Sequence, residues 1–130
     1  EKPKDILFTT DYKIDYMSQH LDILDTICGL YSSKVHILHV SSNGSMNEIE
    51  QKNKEKLENA LSNNVDKEFY NVKDQEIPQA INEFQKFTYV HLLMMIKNKH
   101  TFLENLFFKK VINQIGFHLT IPFLVVPSEH

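Results

Sequence analysis

Short apolar runs that alternate with segments of helical periodicity constrain the fold of this chain more than any other feature. The apolar runs predict five strands, at Ile6–Phe8, Val35–Val40, Lys67–Val72, Tyr89–Ile96 and Ile121–Val126. Between them, apolar residues that recur every third or fourth position predict four main helices, over residues 14–31, 46–61, 77–84 and 108–119. All runs except the third lack polar alternation, which indicates strands that are buried on both faces.

Strands that are separated by helices need long crossovers, and these favour a parallel sheet with helices on both faces. Right-handed crossovers then leave few topologies. We therefore predict an α/β fold, a three-layer Rossmann-like or flavodoxin-like sandwich whose five parallel strands have the order 3-2-1-4-5. Residues 1–130 are enough chain for a single domain, and its core is predicted to span residues 4–127.

Two of the helices carry further expectations. In the first helix, Ile23, Ile27 and Leu30 are expected to widen the buried stripe, and Gly29 near the end, followed by Ser32-Ser33, is expected to mark the stop. The second helix is strongly polar, and its segment Gln51–Lys56 is expected to lie in water.

The composition excludes several classes of function. A net charge of −3 gives no basic field that would attract nucleic acid, and no apolar run is long enough to span a membrane. All 14 basic residues are lysines and only 3 residues are glycines, so neither arginine forks nor a glycine-rich loop would grip a phosphate. The single cysteine, Cys28, excludes an internal disulfide and indicates a reducing compartment, the cytoplasm.

Motifs of catalytic and metal sites are missing from the sequence. There is no Gly-x-Ser-x-Gly elbow, and Cys28 falls in the apolar stripe of the first helix. His36 and His39 are three residues apart on a strand, so their side chains should face opposite ways. We therefore predict no catalytic residue, no metal and no enzymatic activity.

Three segments together resemble the universal stress protein family. They are Ile6–Asp11, in which the first strand ends in Thr-Thr-Asp, the second strand ending in His39-Val40, and the helix-to-strand segment Lys109–Pro127. In that family the last strand reads Pro-Val-Leu-Val-Val, which Pro122–Val126 nearly matches. The resemblance covers residues 4–127 and implies the same α/β fold and a role in the stress response.

The chain departs from the nucleotide-binding branch of this family at one motif. That branch carries Gly-x2-Gly-x9-Gly-Ser/Thr after the fourth strand, where the backbone approaches the phosphates. The corresponding positions here are Ile96, Lys99, Lys109 and Lys110, whose side chains are expected to occupy the space that a polyphosphate needs. The chain therefore looks like the degenerate second half of a tandem stress protein, a fragment of a longer chain. This implies a non-enzymatic domain in which ATP binding is lost or weak.

The resemblance leaves one alternative open, a domain that binds ATP or AMP and has slow ATPase activity. It implies that Asp11 contacts the adenine or ribose and that the backbone of Val40 contacts the adenine edge. The phosphates would lie near Lys99, Lys109 and Lys110. Each of these residues also has an ordinary structural explanation, as a helix cap or turn, a core residue and solvated lysines.

The last strand is the predicted partner surface. In the order 3-2-1-4-5 it is an edge strand, and an apolar edge can pair with another chain. In the family, such strands pair antiparallel about a two-fold axis or between tandem halves. We therefore expect a homodimer, or pairing with a sister domain, through Ile121, Phe123, Leu124, Val125 and Val126.

Overall fold

Five strands lie side by side in one parallel sheet. They are β1 (Asp5–Thr10), β2 (Lys34–Ser41), β3 (Asp66–Lys73), β4 (Leu92–Lys97) and β5 (Phe123–Pro127). Their spatial order is β3-β2-β1-β4-β5, and every neighbouring pair is parallel. The predicted α/β fold and strand order are therefore confirmed. The structure is a computed structural model that describes residues 2–13, 15–16, 21–41, 46–61, 63–73, 77–97 and 122–127.

Three described helices cover the two faces of the sheet. They are α1 (Asp22–Tyr31), α2 (Glu48–Ala60) and α3 (Ile77–Gln85). Leu24 and Cys28 of α1 and Leu57 of α2 pack in one core cluster, on what we call the α1 face. Ala80 and Ile81 of α3 pack in a second cluster on the opposite side, the α3 face. The predicted fourth helix, over residues 108–119, lies outside the described residues.

The centre of the sheet supplies most of the core. Alternate residues of β1 serve opposite faces, because successive side chains of a strand point in opposite directions. Ile6 and Phe8 belong to the cluster of the α1 face and Leu7 to that of the α3 face, and all three are fully buried. Among the described helices, none is both long enough and apolar enough to cross a membrane.

The amino end of α2 is fixed by a capping box. Glu50 N–H donates to Asn47 Oδ1 at 2.8 Å, and Asn47 N–H donates to Glu50 Oε1 at 3.0 Å. These two bonds satisfy donors that the first turn of a helix otherwise leaves unpaired. The prediction that Gln51–Lys56 lies in water is wrong for Asn53, which is buried.

The end of α1 agrees with its prediction, whereas the width of its buried stripe does not. The helix ends at Tyr31, and Ser32 adopts the left-handed conformation, with φ 53°. The backbone N–H of Ser32 donates to the carbonyl of Cys28 at 2.8 Å and closes the last turn. Ile23 and Leu30 do not widen the buried stripe, since they are 42% and 70% exposed.

Replacing Gly29 with Ala is expected to raise the free energy of unfolding by about 1 kcal/mol. Gly29 is an exposed helical residue, and a Cβ added there meets no atom within 4 Å. Alanine therefore removes the entropic penalty of glycine without a clash. Urea denaturation measures the gain. Leu30→Ala serves as the control for a change of surface alone, because Leu30 is an exposed residue of α1 and leucine has nearly the helix propensity of alanine. A loss of stability in Gly29→Ala would contradict the helical conformation at this position.

Candidate functional site

The carboxyl end of β1 lies where the topology of the sheet changes direction. β1 has β2 on one side and β4 on the other, and α1 and α3 lie on opposite faces. In open α/β sheets, ligands bind outside the carboxyl ends of the strands at such a point. The residues Thr9–Tyr12, which we call the β1 rim, therefore form the candidate site.

Tyr12 turns the chain sharply at the β1 rim. Its φ of 58° lies in the left-handed region, which a bulky residue adopts at a cost of about 1–2 kcal/mol. The N–H of Tyr12 donates to Thr10 Oγ1 at 3.0 Å, and this oxygen is also hydrogen-bonded to the hydroxyl of Tyr16. A strained conformation persists only where surrounding contacts enforce it, and such positions cluster at functional sites.

Residues of α2 and β2 hold Tyr12 from the other side. Asn53 Nδ2 donates to the carbonyl oxygen of Tyr12 at 2.7 Å. The ring of Tyr12 lies 4.7 Å from that of His39, whose Nδ1 is 3.1 Å from Asn71 Oδ1. Burial lowers the pKa of His39, so the ring is neutral at neutral pH and Nδ1–H donates to the amide oxygen. These contacts fix the turn and thereby the position of Asp11, which precedes it.

Asp11 is buried, and one of its carboxylate oxygens is unpaired among the described residues. The residue is only 2% exposed, and Oδ2 has no hydrogen-bond partner in that part of the chain. Oδ1 accepts from the N–H of Lys13 at 3.0 Å, so Asp11 forms a turn and does not cap α1, whose N-cap is Leu21. Burial raises the pKa of Asp11 above its ordinary value of 3.8, and the charge of Glu50 acts in the same direction, while the amide and charge of Lys13 oppose the shift.

Thr9 is a second buried polar group at the rim. It is 3% exposed, and its Oγ1 has no hydrogen-bond partner among the described residues. Thr9 faces opposite to its strand neighbours Phe8 and Thr10, whose contacts lie on the α1 face. The rim therefore carries two polar groups, two residues apart in sequence, that are buried and lack a partner in the described part of the chain, a situation that native proteins rarely leave without a reason.

Val40 lies beside Asp11 at the end of β2. The register pairs Thr10 with His39, so the residues that follow each of them are also neighbours. Val40 is partly buried against the cluster of the α3 face. The structure thus brings together two residues to which the family resemblance assigned a ligand contact. The three predicted phosphate contacts lie outside the described residues; they are Lys99, Lys109 and Lys110.

Ile96 is buried in the core. It is 1% exposed and packs in the cluster of the α1 face, whereas Val40 packs against that of the α3 face. The other positions at which side chains were predicted to fill the space of the phosphates lie outside the described residues, so the steric argument stays a prediction.

The described histidines form hydrogen bonds with neighbouring residues of the fold. His36 Nε2 lies 2.9 Å from Asp5 Oδ1, and His36 Nδ1 lies 3.0 Å from the hydroxyl of Tyr70. His91 Nδ1 accepts from the N–H of Asp5 at 3.1 Å. His36 and His39 face opposite sides of the sheet, as predicted. In the part of the chain that the structure describes, no group of three or more His, Cys, Asp or Glu residues is placed to hold a metal ion.

Cys28 has the packing role that the sequence predicts. It is buried in α1, and burial raises the pKa of its thiol to about 11. A thiol with this pKa is almost entirely protonated at neutral pH and is therefore a poor nucleophile.

The two edge strands of the described sheet differ in character. β3 alternates exposed and partly buried residues and carries four charged side chains, Asp66, Lys67, Glu68 and Lys73. β5 carries none, and its residues 123–126 are all partly buried. Phe123 packs against the cluster of the α3 face, whereas Leu124 and Val126 pack against that of the α1 face. Ile121, the first residue of the predicted partner surface, lies outside the described residues.

Three residues of the site are not evident from sequence reasoning. Asn53 stands among lysines and glutamates on a polar helix, and nothing in that pattern marks it as buried. The left-handed turn at Tyr12 has no glycine to signal it. Thr9 does leave a signal, because it is a polar residue that directly follows the apolar run Ile6–Phe8 within the same strand.

No protein-family model matches this chain, and no curated protein is similar to it in sequence. Solved structures are similar in fold. A universal stress protein in complex with cAMP aligns with a TM-score of 0.69 and 14% identity, over 99% of this chain and 100% of that chain. The universal stress protein from Archaeoglobus fulgidus in complex with dAMP aligns with a TM-score of 0.63 and 17% identity, over 97% and 99%. A longer universal stress protein from Archaeoglobus fulgidus DSM 4304 aligns with a TM-score of 0.67 and 13% identity, over 95% of this chain and 44% of that chain. The chain therefore has the fold of universal stress proteins.

Proposed function

We propose that this chain is a non-enzymatic universal stress protein domain that binds a nucleoside monophosphate at the β1 rim. We further propose that the domain pairs along β5 with a second copy of the chain or with a sister domain of a tandem protein. The shared fold supports this, and two proteins of that fold were solved with cAMP and dAMP. The longer chain from Archaeoglobus fulgidus supports the tandem arrangement, because this chain covers 44% of it.

The unpaired Oδ2 of Asp11 is the observation that carries the proposal. A buried polar group without a partner costs about 1–3 kcal/mol, and a charged one costs more. A hydroxyl of a nucleoside sugar would supply the missing donor. The strained turn at Tyr12 supports the same conclusion, since it holds the carboxylate in one position before any ligand arrives.

The composition limits the phosphate part of the ligand. A triphosphate needs many donors at close range, from glycine-rich backbone or from arginine, and this sequence has no arginine and no glycine at the family's phosphate motif. A single phosphate needs fewer donors, and lysines can attract it as point charges. We therefore expect AMP to bind more tightly than ATP.

The proposed lack of enzymatic activity rests on the chemistry of the rim. Hydrolysis needs a nucleophile or a water that is activated by a base within hydrogen-bond reach. In this proposal both carboxylate oxygens of Asp11 are engaged, because Oδ1 accepts from a backbone amide and Oδ2 accepts from the sugar hydroxyl of the ligand, so neither activates a water. The neutral His39 is engaged with Tyr12 and Asn71 on the α1 face.

Calorimetric titration of the chain with AMP, cAMP, dAMP and ATP tests the proposed function. We expect a Kd for AMP of about 10 µM, which corresponds to roughly −7 kcal/mol, and a Kd for ATP at least about tenfold weaker. Binding of ATP in preference to AMP would favour the alternative in which the lysines replace the glycine motif. No heat with any of the four nucleotides at about 1 mM would contradict nucleotide binding at this site.

A further inference from the structure

The hydroxyl of Thr9 is a polar group in apolar surroundings. In the sheet, Thr9 pairs with Leu38 of β2. On the other side, Phe8 pairs with Met94 of β4, so Met95, the next residue, lies beside Thr9. Leu38 and Met95 are both buried and belong to the cluster of the α3 face. Since Oγ1 has no partner there, a valine would suit the unliganded fold better than the threonine does.

The neighbouring threonine shows what a structural hydroxyl looks like in this strand. Thr10 Oγ1 accepts from the N–H of Tyr12 at 3.0 Å and is hydrogen-bonded to the hydroxyl of Tyr16. Both threonines are buried, at 3% and 5% exposure, so burial does not distinguish them. They differ in that one hydroxyl is hydrogen-bonded within the fold, whereas the other has no partner in the described part of the chain.

We infer that Thr9 is a specificity-determining residue, whose hydroxyl binds a second polar atom of the ligand held by Asp11. Cα atoms two residues apart on a strand are separated by about 7 Å, a distance that one nucleoside spans. A hydroxyl both donates and accepts, so it can pair with a polar atom of the base or of the sugar. This inference rests on the proposed function, because it assigns a further contact within the same site.

Thr9→Val is the variant that tests it. Valine keeps the shape and the β-branch but removes the hydroxyl. The stability of the unliganded protein should therefore increase, while its affinity for AMP should decrease. We expect the Tm of the unliganded protein to rise by about 3–5 °C, because an unsatisfied buried group is removed. We expect the Kd for AMP to rise about 3- to 10-fold, because one hydrogen bond to the ligand is lost. A purely structural threonine would not combine higher stability with weaker binding.

Two matched variants complete the experiment. Thr9→Ser keeps a hydroxyl and should bind AMP within about twofold of the unmodified chain. Thr10→Val should lower the Tm by several degrees, about the effect of losing a used buried hydrogen bond. If Thr9→Val binds AMP as tightly as the unmodified chain, or if it lowers the Tm, the role assigned to Thr9 is overturned. If the unmodified chain itself does not bind AMP, the proposed function fails first and takes this role with it.

Discussion

Asp11→Asn is expected to abolish most of the AMP binding and at the same time to make the unliganded domain more stable. The variant keeps the size of the side chain and the acceptor for the N–H of Lys13. It replaces Oδ2 with an NH2 group, which can only donate. A ligand hydroxyl that donates to Oδ2 then loses a bond to a charged acceptor, which corresponds to a loss of affinity of about 10- to 100-fold.

The gain in stability of Asp11→Asn should be larger at pH 7 than near pH 4. Burial raises the pKa of Asp11 in the folded chain above the 3.8 that it has when exposed. Ionisation therefore favours the unfolded state, and its destabilising effect grows as the pH rises from about 4 through the folded pKa. Asparagine removes this effect. The free energy of unfolding of the variant should therefore be about 1 kcal/mol higher than that of the unmodified chain at pH 7, and this difference should narrow as the pH approaches 4.

Urea denaturation at pH 7 and pH 4.5, together with titration of AMP at pH 7, measures both effects. Asp15→Asn is the matched control, because Asp15 is 66% exposed and paired with Lys56 at the surface, at 2.8 Å. A surface pair of this kind contributes less than about 1 kcal/mol, so the control should change neither stability nor affinity much. A less stable Asp11→Asn protein that binds AMP normally would show that the carboxylate serves the fold and not a ligand.

The sheet is predictable from the sequence because its signals are local. Ile6-Leu7-Phe8 is fully buried, as the absence of polar alternation indicates. The error at the start of β4 also has a local cause. Tyr89 and Val90 are residues that favour strands, but they precede Leu92, where the strand begins. The ring of Tyr89 is 66% exposed and lies 4.6 Å from that of His91, so the aromatic character serves a surface contact instead.

The buried face of α1 is only partly predictable. Periodicity gives a stripe of apolar residues, but it does not tell which part of a wide stripe meets the sheet. In the structure Leu24 and Cys28 are buried, whereas Ile23 and Leu30, on one flank of the same stripe, are exposed. This outcome depends on where the helix sits over the strands, which is a property of the tertiary packing.

The site itself depends on contacts between distant parts of the chain. Asp11 can be predicted because it directly follows a strand, and strand ends of this fold bind ligands. Asn53 cannot, because its burial follows from a hydrogen bond to Tyr12, 41 residues away in sequence. That Asp11 and Thr9 lack a partner among the described residues is visible only in the three-dimensional arrangement of those residues.

Val125→Lys is expected to convert a dimer of this chain into a folded monomer. β5 is an edge of the described sheet, and its free backbone groups can pair with those of a second β5. The opposite edge carries charged side chains, which natural proteins use to prevent such pairing, and β5 lacks them. Pairing through β5 would therefore cover the apolar edge and leave the charged edge in water.

The substitution should affect the interface more than the fold. Val125 is only partly buried, so the ammonium group of a lysine at this position can reach water in the monomer. In a paired edge the same ammonium would be enclosed without a partner, at a cost of several kcal/mol, so the dissociation constant should rise by more than about 100-fold. Sedimentation velocity over a range of concentrations measures this change, and circular dichroism checks the fold. Asp66→Lys places the same side chain on the exposed edge of β3 and should leave the dimer intact. A Val125→Lys protein that still sediments as a dimer would exclude β5 as the interface, and the charged edge would then have to be tested in its place.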